Sequence, residues 1–316
     1  MNQMITSPAL SITRAASKQT YYTIRFLVDR ARVKDAYRAY AYLRWVDDVL
    51  DANSGSKPVL SAAEASERQE FLERQKSLLG SCYRGESPRD ANIQENMLVE
   101  LVQRDSEKNS GLEAYLRNMM LVMDFDTRRR GRLISQVELN EYTHWLAVAV
   151  TEAMHYFIGH AASAPHDETR YLAVSAAHIT HLLRDTFDDV QAGYFNIPRE
   201  LLEVNHIRPQ DVHSAAYRLW VKSRVQLARE YFKAGKSYFE RVQNPRHRLA
   251  GFAYIARFEW LLHTIEKEGF YLRPEYNERK HFGTGLRMSW LALSSLINLR
   301  AAPAPRPVVS RSAGEL

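Results

Sequence analysis

Apolar residues recur every three to four positions through long tracts of this 316-residue chain, and turn residues are scarce, with 13 glycines and 11 prolines. That period is the signature of helices with one buried face. Alternating strand patterns bounded by turn signals are hard to find. The spacing predicts helices over 30–51, 61–80, 92–104, 111–124, 135–160, 168–191, 212–242, 247–268 and 286–299. Short polar breaks separate them at "NSGSKP", "GESPRD", "RRRGR", "SAPHDE" and "NIPRE". With no internal repeat and no long linker, the expectation is a single all-α domain. Hydrophobic residues at 45% and charged residues at 25% fit a soluble globular protein. No apolar run reaches the roughly 18 residues of a membrane-spanning helix. Cys82 is the single cysteine, so no internal disulfide can form. Together with a start that lacks a secretory pattern, this points to the cytoplasm. The net charge of +6 includes +2 from the tail after residue 299, three arginines against one glutamate. The remainder is too thinly spread to argue for nucleic acid, and suits an anionic small substrate or a visit to an anionic membrane surface.

One helical tract carries charges that a buried helix would not tolerate unpaired. In "LRWVDDVLD", Tyr40, Arg44, Asp47 and Asp51 fall on one face, while Leu43, Val46 and Leu50 point elsewhere. "HITHLLRDTFDD" repeats the pattern: His178, His181, Asp185 and Asp189 share a stripe, with Asp188 beside it. Two readings compete. Each cluster could be a solvated face closed by Arg44 or Arg184 in surface ion pairs. Alternatively, the two helices face each other across a cavity, and a cation offsets the mutual repulsion of their carboxylates. Mg²⁺, or Mn²⁺ in its place, suits such a site, because it prefers carboxylate oxygens, keeps its waters and bridges to substrate phosphates.

In order along the chain, these motifs resemble those of the squalene and phytoene synthases. The resemblance runs from about Lys18 to Arg279. It includes R-x-x-D-D-x-x-D (Arg44, Asp47, Asp48, Asp51), L-L-R-D-x-x-x-D (Leu182 to Asp189), "VELNEY" ending in Tyr142, and G-x-x-x-x-P (Gly193, Pro198). "RHRLA" and "LLHTIE" resemble the family's late helices, and Tyr21 stands where phenylalanine is usual. The resemblance implies a class I isoprenoid synthase helical bundle around a central apolar cavity. Its divisions here would be a flexible start over 1–17, the synthase domain over 18–284, an apolar helix over 285–299 and a disordered tail over 300–316. It implies head-to-head joining of two allylic diphosphates through a cyclopropyl intermediate to a C30 or C40 hydrocarbon. Asp47, Asp51, Asp185 and Asp189 would be metal ligands, supported by Asp48, Asp188 and His181. Arg44, Tyr21, Tyr40, His178, Arg184 and Arg273 would contact substrate, and Tyr142 would work at the reacting carbons. NADPH use is open, since family members that use it show no glycine-rich dinucleotide loop. A monomer is the expected state, with an oligomer and a peripheral membrane contact left open.

Several positions depart from the family pattern. The usual Q-x-x-N before L-R-D is His178 and His181, and the glycines of V-A-G-x-V-G are Val148 and Thr151. The arginine after the glycine of the second motif is Tyr194, a late tyrosine is Phe258, and Arg273 is two residues out of register. The departures keep two alternatives open: class I chemistry on one prenyl diphosphate, and a non-catalytic relative. "FDTRRRGR", Phe125 to Arg132, reads as a solvated loop, or else as a guide for an anionic substrate or a membrane contact. The apolar segment 285–299 either packs on the body or dips into a bilayer.

Overall fold

A computed structural model describes residues 8–52, 61–86 and 88–276. Among these the chain is helical and forms no strand. The helices are α1 (Pro8–Ala16), α2 (Lys18–Leu27), α3 (Val33–Asp51), α4 (Ala62–Tyr83), α5 (Ile93–Gln103) and α6 (Gly111–Arg129). They are followed by α7 (Gln136–Phe157), α8 (Leu172–Arg184), α9 (Thr186–Ala192), α10 (Arg199–Asn205), α11 (Ala215–Arg241) and α12 (Pro245–Lys267). None of them is long and apolar enough to cross a membrane.

Their starts are written in the sequence. Ser61, Asn92 and Ser135 each cap a helix, accepting from the backbone N–H of a glutamate three residues on and donating their own N–H back to its carboxylate, at Glu64, Glu95 and Glu138. Several departures from the expected elements matter. Residues 8–16 of the expected flexible start form α1, which packs along α3 with Ala9 and Thr13 buried. The helix expected to end at 124 continues to Arg129. The single helix expected over 168–191 begins as a 3-10 turn (Glu168–Tyr171) and bends at Asp185 between α8 and α9. The bend has a local cause. The Thr186 hydroxyl donates to the Leu182 carbonyl at 2.8 Å and approaches that of Leu183 at 3.2 Å, a back-bond that bends helices. α10 was not anticipated at all. The apolar segment expected over 285–299 lies outside the described residues.

The apolar core is divided. One cluster gathers α1 to α6 and the end of α7, around Tyr42, Leu72, Leu98 and Leu116. A second gathers α8, α11 and α12, around Leu183, Phe232, Tyr238 and Leu262. A small third cluster, with Phe125, Leu139 and Tyr142, joins α6 to α7. α7 packs on both α6 and α8, and so ties the halves together.

Candidate active site

A cavity of about 300 Å³ opens where the halves meet. Asp47, Leu50 and Asp51 enter it from α3, Asp126, Thr127 and Arg129 from α6, and Tyr142 and Leu146 from α7. Across from them stand His178, His181, Leu182 and Asp185 of α8, Asp189 of α9 and Tyr194. The two acidic stripes therefore share one cavity, while Leu43 and Val46 anchor α3 in the core behind it. A larger groove, about 710 Å³, runs between α7, α8 and α11 but carries no carboxylate cluster.

The carboxylates feel one another. Burial, reinforced by Asp51, raises Asp47 to about 6. Burial and Asp185 raise Asp189 to about 7, and burial with Asp126 raises Asp51. Asp185 behaves oppositely. Burial works against its charge, yet the nearby His181 and the two-pronged hydrogen bonds from Arg184, at 2.6 Å for each prong, hold it at about 2. Arg44 spans Asp47 at 3.3 Å and Asp48 on the outer side of α3.

The third contributor, α6, was not expected. Arg129 is 4% exposed, donates to Asp126 at 2.6 Å and to Asn196 Oδ1 at 2.7 Å, and sits over the rings of Tyr142 and Tyr194 at 4.7 and 5.0 Å. Asn196 in turn donates to Asp189 at 2.6 Å, and the Tyr142 hydroxyl donates to Asp126 at 2.9 Å. The solvated-loop reading of "FDTRRRGR" is therefore wrong for its first half. Asp126 and Arg129 lie on the last turn of α6 and line the cavity. Tyr194 stands where the family pattern has arginine, and it is flanked by Arg129 and by Arg130 at 5.6 Å. Gly193, at φ 85°, ends α9 in the left-handed conformation and turns the chain back so that Tyr194 and Asn196 reach this network.

Of the residues singled out in the sequence, Asp47, Asp51, Tyr142, His178, His181, Asp185 and Asp189 line the cavity. Asp48, Asp188, Tyr40, Tyr21, Arg44 and Arg184 do not. Tyr21 of α2 packs against Tyr22 beside it and against Tyr37 of α3, and Tyr40 lies one turn below Arg44 on α3. Arg273 pairs with Glu268, stacks on Tyr276 and is not among the residues that line this cavity. His181 packs its ring against Phe258, with centroids 4.8 Å apart, and its Nδ1 is 3.7 Å from Asp185.

Among the described residues, no three acidic, histidine or cysteine side chains converge into a ready-made metal cage. The donor set is nonetheless one of carboxylate oxygens spread around an open space. That arrangement fits Mg²⁺, which takes one or two carboxylates and fills its shell with water and substrate phosphate.

A helical bundle with facing aspartates on two helices defines the class I isoprenoid synthase architecture. The chain matches the squalene/phytoene synthase family over residues 13–282, and it belongs to that family of head-to-head prenyltransferases. It is similar in fold to the squalene synthase HpnC of Alicyclobacillus acidocaldarius, with 17% identity and a TM-score of 0.63, over 84% of this chain and 94% of that one. It is also similar to a dehydrosqualene synthase solved with a ligand, with 16% identity and a TM-score of 0.64, over 93% and 94%. No curated protein matches the sequence.

Proposed function

We propose that the protein joins two identical allylic prenyl diphosphates, farnesyl or geranylgeranyl, head to head through a cyclopropyl diphosphate. The observation that carries this reading is the meeting of Asp47 and Asp51 with Asp185 and Asp189 in one cavity. These four carboxylates would hold Mg²⁺. When bound, the metal supplies positive charge that makes diphosphate a good leaving group. Asp48 and Asp188, outside the cavity wall, act at most on the field around it. His181 serves as the partner of Asp185.

The remaining residues divide the work. Arg129, fixed by Asp126, Asn196 and two aromatic rings, presents positive charge to a departing diphosphate. Arg44, two turns before the end of α3, neutralises Asp47 and Asp48 while no substrate is bound. Tyr142 works by orientation. Burial and Asp126 raise its hydroxyl well above the usual range, and its proton is committed to Asp126. The Tyr142 ring, which lines the cavity and is backed by Phe125 with centroids 5.1 Å apart, suits a cation that must be kept from water.

Purified protein incubated with Mg²⁺ and labelled farnesyl or geranylgeranyl diphosphate, with and without NADPH, tests the reading. A linear C30 or C40 hydrocarbon with diphosphate release is the expected result. Release with only a C15 or C20 product would replace coupling by chemistry on a single diphosphate. Asp47→Ala and Asp189→Ala should lose activity by a hundredfold or more, on the order of a lost charge-stabilising group, with helical content unchanged.

A further inference from the structure

Coupling two allylic diphosphates leaves a carbocation, which must end by capturing a nucleophile, hydride or water, or by losing a proton. His178 is built for the second ending. Its Nδ1 lies 3.1 Å from the Thr143 hydroxyl. That hydroxyl donates its own hydrogen to the Leu139 carbonyl at 2.8 Å, so it can only accept from the imidazole. The proton of His178 is thus fixed on Nδ1, and Nε2 carries a bare lone pair. Nε2 has no hydrogen-bond partner among the described residues and is not one of the sealed polar atoms. It therefore opens on the cavity that His178 lines. The ring is wedged against Tyr142, with centroids 4.8 Å apart, so the lone pair has a set direction.

We propose that His178 Nε2 is the proton acceptor that ends the carbocation reaction, so the product carries a new central double bond and no reductant is consumed. This rests on the head-to-head reading above. In the step, a C–H bond beside the cationic carbon breaks, and its electron pair forms the C=C bond. The proton moves to Nε2, giving an imidazolium that returns it to released diphosphate or to water.

Other groups in the cavity are less suited. The Tyr142 proton is spent on Asp126, and His181 is held between Asp185 and Phe258. Burial, His181 and Arg129 push the His178 pKa down to about 3, so the ring stands neutral at working pH. Weak basicity is no obstacle, because a proton beside a carbocation is far more acidic than any imidazolium. The glutamine of the family pattern at this position has no basic nitrogen.

The test supplies prenyl diphosphate deuterated at both C1 positions, without reductant, and follows diphosphate, cyclopropyl diphosphate and hydrocarbon separately. Two coupled C1 carbons bring four deuterons. The cyclopropyl stage loses one, and proton loss at the end removes a second, leaving two in the hydrocarbon. His178→Ala and His178→Phe should still form the cyclopropyl diphosphate, while conversion to that hydrocarbon falls on the order of a hundredfold. Added free imidazole should restore it in His178→Ala, a rescue that a packing role would not give. A wild-type hydrocarbon that forms only with NADPH and retains three deuterons would overturn the proposal. So would unchanged product from both variants. If the wild type makes no cyclopropyl diphosphate, the coupling reading fails, and this assignment fails with it.

Discussion

Arg129 shows how one side chain decides a site. Burying a guanidinium is costly, and here the cost is offset by a carboxylate, an amide oxygen and two ring faces. Burial works to lower its pKa, but Asp126 and Tyr142 hold it permanently charged. Arg129→Leu should lower kcat/KM by roughly a hundredfold, the scale of losing one group that stabilises developing charge. It should also lower stability by about 1–3 kcal/mol, because Asn196 Oδ1 loses a buried donor. Arg129→Lys should recover only part of either, since an ammonium cannot span both partners as a planar fork does. Steady-state kinetics and urea unfolding read the two effects. Activity equal to wild type in Arg129→Leu would remove the residue from the mechanism.

At the scale of elements, the site depends on how closely α8 lies against its neighbours. Gly235 of α11 makes that approach possible: a Cβ there would sit 2.7 Å from the Ala173 side chain and 3.0 Å from its backbone. Gly235→Val should cost about 1–3 kcal/mol by overpacking, more than the roughly 1 kcal/mol that leaving glycine gains in a helix. It should also depress activity beyond the stability loss, because α8 carries His178 and His181 and ends at Asp185. A urea midpoint at or above that of wild type would show that α11 can yield. The bend at Asp185 belongs to the same scale. Both aspartates of the second motif stay on one turn, with the Asp189 amide donating to the Asp185 carbonyl at 2.8 Å, while α9 turns away towards Gly193.

For the whole molecule, like charges from α3, α6, α8 and α9 confront one another across the seam between the two core clusters. Asp47 and Asp189 bind protons more tightly when folded, at about 6 and 7, than at the ordinary carboxylate value of 3.8. Between pH 4 and 7 the folded state therefore holds more protons than the unfolded chain. The contribution of these two groups to stability falls as pH rises through that window. A divalent cation relieves the repulsion only where the carboxylates are ionised. Thermal unfolding should show Mg²⁺ raising Tm more at pH 8 than at pH 5.5, with the difference abolished in Asp47→Asn/Asp189→Asn. An equal Mg²⁺ effect at both pH values would argue that the ion binds elsewhere.

The sequence by itself determined the all-helical class, most helix starts and the two acidic stripes, because period, caps and i, i+4 spacing are local properties of the chain. It also marked His178 as unusual. It did not reveal that α6 supplies Asp126 and Arg129, since a charged run at a helix end reads as solvated unless the chain's return at Gly193 brings Asn196 and Tyr194 over it. Helical spacing put Asp47 and Asp189 on different stripes from Asp48 and Asp188, but it did not say which stripe faces the seam. That difference is a rotation of about 100° on a helix, and only the packing of one helix against another sets which side becomes the inside. The direction of the His178 lone pair was likewise settled in three dimensions, by a threonine thirty-five residues away.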